Sequence, residues 1–80
     1  MLDEMKPSRE TVAENVQRNR VSKGWTQTRL AQEAGVAQAR IAELEAGRYE
    51  PRTDTIDRIA IALEIAPATL LIPVESEVAV

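Results

Sequence analysis

Apolar residues recur at helical spacing along most of this 80-residue chain, with capping residues between the repeats. Ser8 is a suitable N-cap for a first helix that runs to about residue 22, where Gly24 can end it in a left-handed conformation. Asn19 stands one turn beyond Val16, where the spacing predicts a leucine, so this helix has only a thin apolar stripe. The stripe consists of Val12, Val16 and Val21.

Residues 25–47 contain two short amphipathic helices joined through Gly35. Thr26 caps the first of these helices, and the second covers roughly Ala37 to Ala46, with alanine as a poor N-cap. The inward positions of the two helices are Leu30, Ala34, Val36, Ile41 and Leu44, and the small Ala31 stands where the helices must nearly touch. This is the pattern of a helix-turn-helix, a motif that places its second helix in the DNA major groove.

Two more helical segments follow the loop at residues 47–52. Thr53 is the predicted N-cap of a fourth helix, with Asp54 stabilised near its positive end. Pro67 suits the first turn of a short fifth helix over residues 66–71. The core of the four longer helices is predicted to contain Val16, Leu30, Val36, Ile41, Leu44, Ile56, Ile59 and Leu63.

The pattern therefore predicts one all-α, five-helix domain over residues 8–73. Residues 1–7 are expected to be a flexible N-terminus. Residues 74–80 form a C-terminal tail whose alternating pattern resembles a strand, although disorder is the simpler interpretation.

Composition excludes several classes of function. The chain has no cysteine and no histidine, which removes the commonest metal ligands and the usual general base, so we expect no metal site, no cofactor and no enzymatic activity. Its three glycines are too far apart for a phosphate-binding loop. The first ten residues lack the apolar run of a signal peptide or membrane span, and the expected location is the cytoplasm.

The net charge of −3 is unevenly distributed. Residues 1–20 are neutral, residues 21–48 carry +1, and residues 49–80 carry −4. The acidic excess therefore lies C-terminal to the helix-turn-helix pattern, and an acidic chain remains compatible with a neutral or basic DNA-binding face.

With these features in place, the chain resembles the Cro/CI-type helix-turn-helix family, also called the XRE family. The resemblance extends from about residue 12 to residue 71 and rests on several spaced motifs: WTQTRLA, GVAQARIAELEAG, then Pro51 followed by TIDRIAIAL. Lambdoid phage repressors, small bacterial regulators and several antitoxins share this five-helix domain. The chain departs from the family pattern at Asn19, at Glu43 and at Glu64, which replaces the usual glycine after the fourth helix.

The resemblance implies particular roles for residues of this chain. Gln27 occupies the place of a glutamine that contacts a DNA phosphate, and Arg48 and Arg52 match a loop that does the same. Arg20 and Glu45 match an ion pair between the first and third helices. The base-contacting positions of the family correspond here to Gln38, Ala39 and Glu43.

A helical wheel of the third helix indicates which of these side chains can reach DNA. The surface opposite its core face consists mostly of alanine methyl groups, which contact thymine methyls without hydrogen bonding. Gln38 is the residue with an obvious readout, bidentate to adenine N6 and N7. Glu43 either accepts from cytosine N4, or repels a phosphate, or is simply solvated or paired locally. Arg40 lies to the side, where a phosphate contact is expected.

The favoured function is a DNA-binding transcriptional regulator, a repressor, acting as a homodimer on a palindromic operator. The predicted dimer interface uses apolar residues that the four-helix core does not need: Ile61, Ile65, Leu70, Leu71 and Ile72. One alternative is an antitoxin that represses its own operon and binds a toxin protein. Another is a protein-interaction module that has kept the fold and lost its affinity for DNA.

Overall fold

A computed structural model of the protein describes residues 8–73. Its helices in chain order are α1 (Arg9–Ser22), α2 (Gln27–Ala34), α3 (Gln38–Glu45), α4 (Thr53–Leu63) and a short 3₁₀ helix (Pro67–Leu71). The first seven and the last seven residues, for which we expected a flexible segment and a tail, lie outside the described part. The all-α class is confirmed.

Helix boundaries follow from local side-chain chemistry. The Ser8 hydroxyl accepts a hydrogen bond from the Thr11 amide at 3.1 Å, and the Thr26 hydroxyl accepts one from the Arg29 amide at 3.0 Å. Each side chain thereby satisfies one of the amides that the first turn of a helix leaves unpaired. Gly35 ends α2 in the left-handed conformation, with φ of 69°. The predicted caps of α1 and α2 are therefore present.

Two details of the predicted helices are wrong. The N-cap of α4 is Arg52, in an extended conformation and without a side-chain cap, and Thr53 is the first helical residue. The expected short fifth helix over residues 66–71 is a 3₁₀ helix of five residues, so the described part of the chain contains four α-helices and not five. Ile72 then follows in an extended conformation.

The core gathers apolar side chains from all five helices. Its fully buried large members are Val16, Leu30, Ile41, Leu44, Ile59 and Leu70. Val36 and Ile56, which we also predicted as core residues, are half-buried and pack against its edge. Val21, by contrast, is 59% exposed and does not belong to the apolar stripe of α1.

The burial of Leu70 corrects one expectation about the dimer interface. Leu70 belongs to the core of its own domain, because the 3₁₀ helix packs against α1 and α4. It is therefore not an apolar side chain left over at the surface. Of the remaining predicted interface residues, Ile61 and Ile72 are exposed, and Ile65 and Leu71 are half-buried.

A polar side chain that the sequence pattern did not reveal lies inside this core. Asn15 is fully buried on α1, and its Nδ2 donates to the backbone carbonyls of Leu70 at 3.0 Å and Ile72 at 2.8 Å. Its Oδ1 has no hydrogen-bond partner. The amide thus connects α1 to the segment that follows α4.

Glu64 ends α4 in the left-handed conformation, with φ of 62°, which L-residues with a side chain rarely adopt. Its exposed carboxylate lies 3.3 Å from Lys23 Nζ. Glycine adopts this conformation without a steric penalty, which is a physical reason for the glycine that the family usually has at this position. Among the helices between residues 8 and 73, none has the length and apolar character needed to cross a bilayer.

Candidate nucleic-acid interface

Helices α2 and α3 pack against each other through their apolar faces and leave one face of α3 in solvent. Ile41 and Leu44 anchor α3 in the core, while Leu30 anchors α2. On the other side of α3, the side chains that face solvent are those of Gln38, Ala39, Glu43 and Ala46. The three residues that we predicted as base contacts therefore lie on an accessible surface.

Arg20 and Glu45 form a two-point ion pair between α1 and the end of α3. Arg20 Nε donates to Glu45 Oε2 at 2.7 Å, and Arg20 Nη2 donates to Glu45 Oε1 at 3.0 Å. The third guanidinium nitrogen donates to the Trp25 carbonyl at 2.7 Å. The two side chains are only 12% and 3% exposed. The hydrogen bonds that Arg20 donates to Glu45 raise the pKa of Arg20, while partial burial of the guanidinium opposes this shift.

Glu45 also connects the two helices of the motif through a chain of amides. Gln27 Nε2, at the start of α2, donates to Glu45 Oε1 at 3.1 Å. Gln27 Oε1 in turn accepts a long hydrogen bond of 3.5 Å from Gln38 Nε2, at the start of α3. The side chains that we predicted as a structural pair, a phosphate contact and a base contact therefore lie in one continuous network.

Arg40 lies beside the exposed face of α3, against the loop that follows the helix. Its guanidinium lies over the Tyr49 ring at 4.6 Å from the centroid. Arg40 Nε is 3.9 Å from Glu43 Oε1, which is an ion pair without a hydrogen bond. Tyr49 thus orients a cation next to the exposed face of α3, a role that the sequence analysis did not assign to it.

The loop arginines are exposed. Arg52 is loosely paired, with its Nε 3.7 Å from Asp54 Oδ1. Arg48 has no side-chain partner among residues 8–73. Both guanidinium groups can therefore meet a phosphate without first breaking a strong ion pair.

Two further cationic side chains lie against Trp25, just before α2. Lys23 Nζ and the Arg29 guanidinium lie 5.0 and 4.9 Å from the centre of the indole ring. Arg29 also pairs with Glu33 at 2.8 Å. Because Trp25 is half-buried and packs against the core, its main contacts are structural.

Comparison with known proteins gives this surface its context. Residues 16–70 match the helix-turn-helix family model HTH_3, which is well over half of the chain. The chain belongs to the XRE-type helix-turn-helix family. This XRE-family assignment confirms the resemblance inferred from the sequence motifs. Members of the family are DNA-binding transcription regulators.

Similar proteins agree with that assignment. A hypothetical transcription factor from Neisseria meningitidis serogroup B is 34% identical over 65 residues, which are 81% of this XRE-family chain and 61% of that protein. The chain therefore spans less than two thirds of that relative's length. The crystal structure of the hypothetical transcription factor NHTF from Neisseria has a TM-score of 0.86 and 31% identity, covering 89% of this chain and 82% of the other.

A restriction-modification controller protein also shares the fold. The structure of C.AhdI from Aeromonas hydrophila has a TM-score of 0.75 at 26% identity, covering 78% of this chain and 94% of that protein. A small α-helical domain of this size is thus nearly the whole of one related regulator.

Proposed function

We propose that this protein is a DNA-binding transcriptional regulator that acts as a homodimeric repressor on a palindromic operator. The observation that carries the proposal is the amide network at the start of α3. It presents Gln38 beside an open helix face in a chain that belongs to a DNA-binding family. An exposed α3 is the element that such motifs insert into the major groove.

The network favours a particular readout by Gln38. One Nε2 proton is donated to Gln27, which leaves the second Nε2 proton and the Oε1 acceptor free. That pair of groups matches N7 and N6 of adenine. Ala39 adds a methyl group suited to contact with thymine. We therefore propose that adenine is read at one position of each half-site.

Phosphate contacts are proposed for Gln27, Arg40, Arg48 and Arg52. Gln27 is held at the start of α2 by Glu45, and the three arginines are on the exposed face or in the loop after α3. Contacts of this kind set the register of the protein on the duplex without reading its sequence.

Glu43 can meet DNA in two ways, at a cytosine or near a phosphate, and the variant Glu43→Gln distinguishes them. Its carboxylate is 57% exposed and only loosely paired with Arg40, so its charge remains available. A contact with cytosine N4 predicts that Glu43→Gln weakens binding only on the operator. Repulsion of a phosphate predicts tighter binding of that variant to every sequence.

Fluorescence anisotropy on an operator selected from random DNA tests the proposal. Gln38→Ala should cost about 1–3 kcal/mol on the operator and relax the preference at one base pair. Arg48→Ala and Arg52→Ala should weaken binding to all sequences alike. Each should lower the slope of log K against log salt concentration by about 1. Gln32→Ala, an exposed glutamine on α2, is the matched control and should bind as the wild type does.

Two outcomes would contradict the proposal. Equal losses on operator and random DNA for Gln38→Ala would exclude base reading. Absence of wild-type binding to any DNA at low salt would favour the protein-interaction module instead. A toxin gene beside the gene of this protein would support the antitoxin alternative.

A further inference from the structure

An open cleft of about 270 Å³ lies between the turn of the helix-turn-helix and the first half of α4. We call it the Arg40–Arg58 cleft, because these two arginines line it together with Tyr49, Asp54, Thr55 and the backbone of residues 35–37. A water molecule occupies about 30 Å³ in the liquid, so the cleft has room for a phosphate group and several waters. Arg58 has no role in the interface described so far.

The charged groups of the cleft favour an anion. Arg40, Arg58 and Asp54 line the cleft, so its lining residues carry a net charge of +1. Asp54 Oδ1 is also 3.7 Å from Arg52 Nε, and Glu43, outside the lining, is 3.9 Å from Arg40 Nε, where it forms no hydrogen bond. Within residues 8–73, Arg58 forms no ion pair, and its Nη1 donates only a long hydrogen bond of 3.4 Å to the Gly35 carbonyl. A guanidinium carries five N–H donors, so most of those on Arg58 remain available.

The other cleft residues supply geometry and further donors. Tyr49 holds the Arg40 guanidinium at 4.6 Å over its ring, which reduces the side-chain freedom that a ligand would otherwise have to restrict. Tyr49 and Thr55 also line the cleft, and each carries a hydroxyl group of a kind that can donate to an anionic oxygen. The cleft is also continuous with the loop that contains Arg48 and Arg52, through Tyr49.

We propose that the Arg40–Arg58 cleft binds a phosphodiester of the DNA backbone, with Arg58 as a phosphate contact supplied by α4. The proposal rests on the DNA-binding function proposed above. It adds a contact outside the helix-turn-helix itself. Because the contact is made to the backbone, it supplies affinity and register and carries no base preference.

Salt dependence of DNA binding is the first test. Arg58→Gln should lower the slope of log K against log salt by about 1, equally on operator and random DNA. Arg58→Lys keeps the charge and should retain the wild-type slope, although it loses the planar fork of donors. Arg18→Gln removes one positive charge from α1, away from the cleft, and should also leave the slope unchanged. Thermal melts of the three variants check that each is folded.

A titration with inorganic phosphate tests the cleft without DNA. The side-chain Nε–Hε signals of Arg40 and Arg58 in the NMR spectrum of the full chain should shift and saturate. In Arg58→Gln, the shift of the Arg40 signal should be lost or much weaker. Phosphate binding together with an unchanged DNA salt slope would assign the cleft to a free phosphorylated molecule and overturn the backbone contact.

The remaining outcomes are also decisive. A wild-type slope in Arg58→Gln, or the same reduction in Arg18→Gln, overturns the proposal while the DNA-binding function stands. If the wild type binds no DNA, both the proposed function and the backbone contact fail. The phosphate titration then decides only whether the cleft is an anion site of another kind.

Discussion

At the residue scale, Asn15 combines two hydrogen bonds to backbone carbonyls with an unsatisfied oxygen inside the core. Asn15→Leu removes the unsatisfied oxygen but leaves the carbonyls of Leu70 and Ile72 without their donor. An unpaired buried group costs about 1–3 kcal/mol, and the substitution unpairs two carbonyls while removing one unpaired oxygen, so we expect a net loss of about 1–3 kcal/mol in the free energy of unfolding. Urea unfolding measures this change in free energy. Gln17→Ala, at an exposed site on the same helix, should change stability by less than about 0.5 kcal/mol.

A loss no larger than that of Gln17→Ala would contradict the structural role of Asn15. It would mean that water satisfies both carbonyls once the amide is removed.

Glu64, unlike Asn15, is expected to make the protein less stable than glycine would at the same position. A side chain in the left-handed region costs about 1–2 kcal/mol, and the ion pair with Lys23 is exposed and contributes at most about 1 kcal/mol. We therefore expect Glu64→Gly to raise the free energy of unfolding by about 0.5–1 kcal/mol. Glu64→Gln keeps the backbone strain while removing the charge, and should be neutral or slightly less stable. A destabilised glycine variant would refute the strain argument.

At the element scale, the Arg20–Glu45 pair fixes the position of α3 relative to α1. Removing one partner leaves the other charge largely buried, which costs about 3–5 kcal/mol for a fully buried pair and less at partial exposure. We predict losses of about 2–4 kcal/mol for Arg20→Met and for Glu45→Leu, with the double variant less damaged than their sum. Denaturant unfolding of the three variants measures these losses. If the loss of the double variant equals the sum of the two single losses, Arg20 and Glu45 are not energetically coupled.

Most element boundaries could be predicted, because they depend on short-range chemistry. Ser8 and Thr26 accept hydrogen bonds from amides three residues later, and Gly35 adopts the conformation that glycine favours. Each of these signals is complete within a few residues of sequence. The start of α4 lacks such a signal, since Arg52 caps the helix with no side-chain bond, and propensity alone favoured Thr53.

Features that depend on distant parts of the chain were harder to predict. Asn15 is next to Val16 on the inward side of α1, but its partners are 55 and 57 residues away. The Arg40–Arg58 cleft likewise joins α3 to α4 across a turn. Hydrophobic periodicity identifies which face of a helix is buried, and it contains no information on which polar groups meet there.

At the scale of the whole molecule, two exposed isoleucines support the proposed dimer. Ile61 is 75% and Ile72 is 42% exposed, whereas Leu70 lies in the core. We expect Ile61→Glu or Ile72→Glu to give a folded monomer with much weaker operator binding, because a twofold axis brings two copies of the new charge together. Sedimentation equilibrium at micromolar concentration measures the oligomeric state. Val21→Glu, at an exposed valine on α1, should remain a dimer.

A monomeric wild type, or dimers in both isoleucine variants, would exclude this surface as the contact. Dimerisation matters for function because two recognition helices about 34 Å apart reach successive major grooves.

The position of Trp25 has a practical consequence, because it is the only tryptophan of the chain. Lys23 and Arg29 lie within about 5 Å of the centre of its ring, and its carbonyl accepts a hydrogen bond from Arg20, which also binds Glu45. The fluorescence of Trp25 therefore reports on the region where α1, α2 and α3 meet, and not on the whole chain. Loss of the junction should shift the emission to longer wavelength, so that local opening near α2 becomes visible without a label.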